Sequence, residues 1–69
     1  ERVQVAYTVS SPGPATLTLF DALGREVWTR TVHAASGTVD LPLAGRAAGV
    51  YVLRLESGAE VRTQAVVRL

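Results

Sequence analysis

Sixty-nine residues make one domain near the lower size limit for folding alone, where a chain buries only about 60% of its unfolded surface. The chain has no cysteine, which excludes disulfide staples and thiolate metal centres, and its net charge of +1 lacks the basic excess of a nucleic-acid binder. A hydrophobic fraction of 48% excludes a disordered segment, and no apolar run approaches the ~18 residues of a membrane-spanning helix.

Apolar and polar residues alternate in nearly every segment, which predicts strands throughout, and helical periodicity is absent. Val3, Val5, Tyr7 and Val9 alternate with Arg2, Gln4, Ala6 and Thr8 as a first strand. Ser10-Ser11-Pro12-Gly13-Pro14 ends it, since prolines around a glycine cannot continue a ladder. The second strand is predicted over Ala15 to Asp21, with Leu17 and Leu19 on one face, and the third over Arg25 to Val32. A three-residue loop, Ala22 to Gly24, pairs Leu19 with Val27 and Leu17 with Thr29, and it requires a left-handed Gly24. Asp21 then faces Arg25 across the neck of the turn.

His33 to Gly37 reads as a loop and Thr38 to Leu41 as a short strand with Val39 and Leu41 inward. Pro42 to Ala48 is an irregular crossing that has room for one short extra strand. Gly49 to Glu56 is the strongest strand, with Tyr51, Leu53 and Leu55 on one face. A three-residue turn, Ser57 to Ala59, pairs Leu55 with Val61, so Val61, Thr63, Ala65, Val67 and Leu69 of the last strand are expected inward and Arg68 outward. Six to seven short strands of this kind bury one face each by forming an antiparallel β-sandwich of the immunoglobulin-like type. The chain opens on Glu1 within what already reads as a strand, so it is expected to be one module of a longer protein.

Little in the chain points to catalysis or to a cofactor. The single histidine, His33, lies in a loop of small residues with Ser36 nearby, a pair expected to be solvated rather than catalytic. The six acidic residues are scattered, with no metal-ligand spacing and no paired carboxylates, so no metal and no cofactor is expected. In the hairpin register above, Phe20 and Trp28 both point away from the Leu17/Leu19 face as diagonal neighbours. They are either a platform for a sugar ring or partner, or a cross-strand pair that stiffens the sheet.

The order of the motifs is more specific than any of them singly. Leu17-Thr18-Leu19-Phe20-Asp21-Ala22-Leu23-Gly24-Arg25-Glu26-Val27 resembles a block of the type IX secretion C-terminal sorting domain. Gly37, Leu43 and Ala48-Gly49-Val50-Tyr51-Val52-Leu53-Arg54-Leu55 resemble its second block, and Thr63-Gln64-Ala65-Val66-Val67-Arg68-Leu69 its terminal strand. Gln64 stands where that strand usually has a basic residue, and Leu69 follows the basic Arg68. The immunoglobulin-like domain of the flagellar hook-capping protein shares the Asp-x-x-Gly-Arg and Gly-x-Tyr patterns.

The sorting-domain resemblance implies an address rather than a chemistry. It implies an exported protein with this domain at its C-terminal end, passed through the type IX outer-membrane translocon, often cut by a sortase-like protease, and anchored at the surface or released. The residues it brings forward for recognition are Gly49, Tyr51, Arg54, Val66, Val67 and Arg68, with Asp21, Gly24 and Arg25 as a turn motif. Secretion components and the protease are the implied partners of a domain expected to be monomeric. A carbohydrate-binding module using Phe20 and Trp28, and a structural spacer, are the alternative readings. The fold expectation has a direct check: circular dichroism should show β-structure with a cooperative melt, and a helix content near one third would exclude the sandwich.

Overall fold

A computed structural model describes residues 3–10 and 13–69; Arg2 of the expected first strand, and Ser11 and Pro12 of the loop expected to end it, lie outside them. Six strands follow in chain order: β1 (Val3–Thr8), β2 (Ala15–Phe20), β3 (Glu26–Val32), β4 (Ser36–Leu41), β5 (Gly49–Ser57) and β6 (Glu60–Arg68). They form two antiparallel sheets, β1-β4 and β3-β2-β5-β6. The all-β sandwich expected from the alternation is therefore present, with two strands facing four. β4 begins at Ser36 rather than Thr38, so part of the expected loop is strand, and residues 42–48 contain no seventh strand.

The core lies between the sheets. Leu17 and Leu19 of β2 meet Leu53 and Leu55 of β5 on the larger sheet, Val39 and Leu41 close it from β4, and Leu43 of the crossing is buried beside them. Tyr7, Val3 and Val5 of β1 are only half-buried against this core.

Two registers differ from the sequence-based expectation, each by one residue. In the β2–β3 hairpin the loop is Ala22 to Gly24 as expected: the Asp21 amide donates to the Arg25 carbonyl at 2.9 Å, and the Gly24 amide to the Asp21 carbonyl at 3.0 Å. Beyond that neck a β-bulge intervenes. Phe20 pairs with Glu26, but Leu19 pairs with Trp28 rather than Val27, and Leu17 with Arg30 rather than Thr29. The extra residue on β3 is Val27, and everything after it is shifted by one.

In the β5–β6 hairpin the turn has two residues, not three. Ser57 pairs with Glu60 and Leu55 with Arg62, instead of with Val61. Gly58 has φ of 59° and Ala59 has negative φ, the glycine-first order of a type II′ turn, whose twist matches a two-residue hairpin. A one-residue shift exchanges the faces of a strand. Val66 is therefore the buried residue of β6, whereas Val61 and Val67, expected inward, are 58% and 56% exposed. Leu69, also expected inward, is 92% exposed.

The Asp21 turn is held by local chemistry. Asp21 Oδ1 accepts from the amides of Leu23 at 2.9 Å and Arg25 at 3.0 Å, and Oδ2 accepts from Arg25 Nε at 2.9 Å. These donors, the Arg25 amide foremost, hold the Asp21 carboxyl below its ordinary value of 3.8 against a smaller opposing desolvation. Gly24 completes the turn at φ of 83°, a left-handed conformation that costs an L-residue about 1–2 kcal/mol.

Two outcomes follow for this turn. Gly24→Val should lower stability by about 1–2 kcal/mol, read as a reduced melting temperature, and an unchanged melt would exclude the assigned turn. Because the folded value of Asp21 is depressed, its charge stabilises the fold above pH 3.8, and that contribution disappears as pH falls through the lower folded value. Asp21→Asn should therefore melt below the parent at neutral pH, with the gap closing on acidification.

Candidate functional site

The sequence blocks converge on β5, β6 and the crossing that precedes them. The crossing, residues 42–48, has no ladder of its own, and side chains bind it instead. The Tyr51 hydroxyl donates to the Ala47 carbonyl at 2.6 Å, four residues upstream. This is the tyrosine-corner arrangement of immunoglobulin-like sandwiches, in which a tyrosine near a strand start ties the preceding chain. Arg68 Nε donates to the Leu43 carbonyl at 2.8 Å, and an Arg46 guanidinium nitrogen donates to the Val27 carbonyl, at the bulge, at 3.2 Å. Leu43, 2% exposed, is thereby held in the core.

The expected recognition residues separate into two groups. Tyr51 and Val66 are opposite each other and buried, and Gly49 pairs with Arg68 at the far end of the hairpin. Arg68, expected to point outward, is half-buried and committed to the Leu43 carbonyl. The two-residue turn accounts for this, since it sends the even-numbered residues of β6 inward. Arg54 and Val67 lie on the outer face. The Arg54 guanidinium stacks over Phe20, 4.8 Å from the ring centroid, and bonds to Glu56 at 3.3 Å, leaving its buried Nε without a partner among the described residues.

Phe20 and Trp28 do not form a platform. The bulge at Val27 places Trp28 opposite Leu19, where it packs half-buried against the core, while Phe20 lies on the outer face beneath Arg54. Asp21, Gly24 and Arg25 come together as the sequence suggests, at the turn beside the crossing.

Sequence reasoning missed an apolar strip on the outer face of the larger sheet. Val50 pairs with Val67, and Phe20, Val52 and Ala65 form the next row across three strands. Val50 and Val67 are about half exposed, at 49% and 56%. A signal was present in the run Val50, Val52, which alternates with Tyr51 and Leu53 and makes β5 apolar on both faces. Arg46, which ties the crossing to β3, and Arg62, which bonds to β1, carry no recognisable motif.

The arrangement has a clear capacity for contact. The outer face offers valines bordered by one stacked arginine, on a hairpin whose ends are fixed by Tyr51 and Arg68. Comparison with curated proteins and with solved structures returns no significant match. Comparison with protein families matches residues 1–68 to the secretion system C-terminal sorting domain. Domains of this kind mark proteins exported by type IX secretion to the outer-membrane surface or the extracellular space, and they interact with the secretion machinery. The chain belongs to the secretion system C-terminal sorting domain family and is a sorting signal for type IX secretion.

Proposed function

We propose that the secretion machinery reads this domain as a folded surface, and that the surface is the outer face of the β5–β6 hairpin. One observation carries the reading. Of the terminal block, Val66 and Arg68 are engaged inside the fold, while Val67 stands exposed beside Val50. In this reading Gly49, Tyr51, Val66 and Arg68 hold the surface in place, and Val50, Val67 and Arg54 touch the translocon component. The domain is the C-terminal module of a larger exported protein and acts as a monomer. A sortase-like protease then separates it from its cargo, which is anchored or released.

The domain itself acts by binding and carries out no catalysis. Supporting this, the family to which the chain belongs is one of sorting signals.

A reporter with a periplasmic signal peptide, fused ahead of this domain in a bacterium with a type IX system, tests the surface. Val50→Thr with Val67→Thr should leave stability within about 0.5 kcal/mol, because both positions are exposed and threonine suits a strand. Export of the reporter should nevertheless be lost. Export at the parent level from this folded variant would exclude the surface. Arg68→Ala should behave differently, lowering stability by about 1–2 kcal/mol through the lost charged hydrogen bond to a half-buried carbonyl. Its export should follow the folded fraction, recovering as temperature is lowered.

A further inference from the structure

The Asp21 turn is a motif that the outer-face contact does not use. It closes one side of a cleft of about 430 Å³, a volume in the ordinary range of ligand sites. The other side is the crossing from Gly45 to Gly49. Apart from Arg46, that segment holds only glycine and alanine, so no side chain larger than a methyl group fills the space. A Cβ at Gly45 or Gly49 would meet nothing within 4 Å, so both positions are open. Two blocks that stand out in the sequence, Asp21-x-x-Gly24-Arg25 and Gly49-x-Tyr51, therefore border a single hollow.

Two guanidiniums line it, Arg25 from the turn and Arg46 from the crossing. A guanidinium carries five N–H donors, and each of these uses few of them within the fold. Arg25 gives its Nε–H to Asp21, and Arg46 gives one terminal nitrogen to the Val27 carbonyl at 3.2 Å. Both side chains are thus anchored, with terminal N–H groups left over.

Their charges are not matched. Asp21 answers Arg25 alone, and its two oxygens already accept three hydrogen bonds. Arg54 and Arg62 each have a glutamate, at 3.3 and 3.1 Å, whereas Arg46 has no carboxylate partner among the described residues. The lining holds two positive charges against one negative. Beside them the exposed Leu23, Val27 and Val50 give the cleft an apolar rim.

We propose that this cleft binds a side-chain carboxylate of a partner polypeptide, at a point where one acidic residue is flanked by small apolar ones. The carboxylate enters between Arg25 and Arg46, whose planar forks suit its two oxygens. The flanking side chains cover Leu23 and Val50. An uncharged segment would take water from the unmatched Arg46 charge and give nothing back. A phosphate dianion would leave excess negative charge beside Asp21, so a singly charged group fits better. The site meets the Val50–Val67 surface only at Val50 and does not depend on that surface being the one the machinery reads.

The test titrates the isotope-labelled domain with the peptide acetyl-Ala-Val-Glu-Val-Ala-amide. The side-chain Nε–H signals of Arg25 and Arg46 and the amides of residues 45–49 should shift together and saturably, with peptide at about 1 mM and above. The same peptide with glutamine in place of glutamate should bind about ten-fold more weakly, the loss of a charged hydrogen bond. Arg46→Gln keeps a donor for the Val27 carbonyl and removes the charge. Once shown to be folded by its melting curve, it should lose binding of the glutamate peptide by a similar factor. Val50→Thr with Val67→Thr should still bind the peptide, which separates this site from the outer-face contact. Absence of saturable shifts at these groups would overturn the proposal, and so would equal binding of the glutamine peptide. Inorganic phosphate that shifts the same signals at lower concentration than the peptide would assign the cleft to a phosphorylated ligand, and would also overturn it.

Discussion

The hydrogen bond from the Tyr51 hydroxyl to the Ala47 carbonyl sets where the chain enters the larger sheet. A crossing between two sheets cannot satisfy its backbone through a ladder, so its polar groups need side-chain partners. Tyr51 ties its end, Arg68 ties the Leu43 carbonyl, and Arg46 ties the crossing back to the bulge in β3. Leu43 reaches the core only because the segment on either side of it is fixed. The placement of β5 follows from this, and β5 is the strand to which both β2 and β6 pair. In a chain with no disulfide, such side-chain ties take the role that covalent staples fill in other small exported domains.

The same ties explain why the motif residues divide between the interior and the outer face. Tyr51, Val66 and Arg68 stand out in the sequence, yet their side chains point inward or bond to carbonyls. The outer face carries Val67 and Arg54 from the same blocks, together with Val50, which no block brings forward. For a sorting signal this division is physically reasonable. A fixed internal frame holds the outer face at constant geometry.

Strand existence was legible because alternation is a local property, and all six strands are close to their predicted bounds. The Asp21-x-x-Gly24-Arg25 turn was legible because a carboxylate, a left-handed glycine and an arginine within five positions leave few arrangements open. Register was not legible. The bulge at Val27 adds a residue that nothing in the alternating pattern announces, and it alone moves Trp28 to the core side. The hairpin after Ser57 turns on whether glycine is first or last in the loop. Gly58 is first, and this one choice turns Val67 outward and Arg68 inward. The arrangement of the candidate site was thus lost to two one-residue decisions, while the fold class was insensitive to both.

The polar inward side of β6 has a consequence for how the domain opens. Only Val66 of that strand is buried, while Glu60, Arg62 and Gln64 put polar side chains on the same side. β2 and β5, by contrast, are sealed by leucines on the inner face. Local stability follows buried apolar contact, so β6 opens at lower cost than the β5 to which it is paired. Protection against amide exchange should therefore fall off across β6 well before it does in β5.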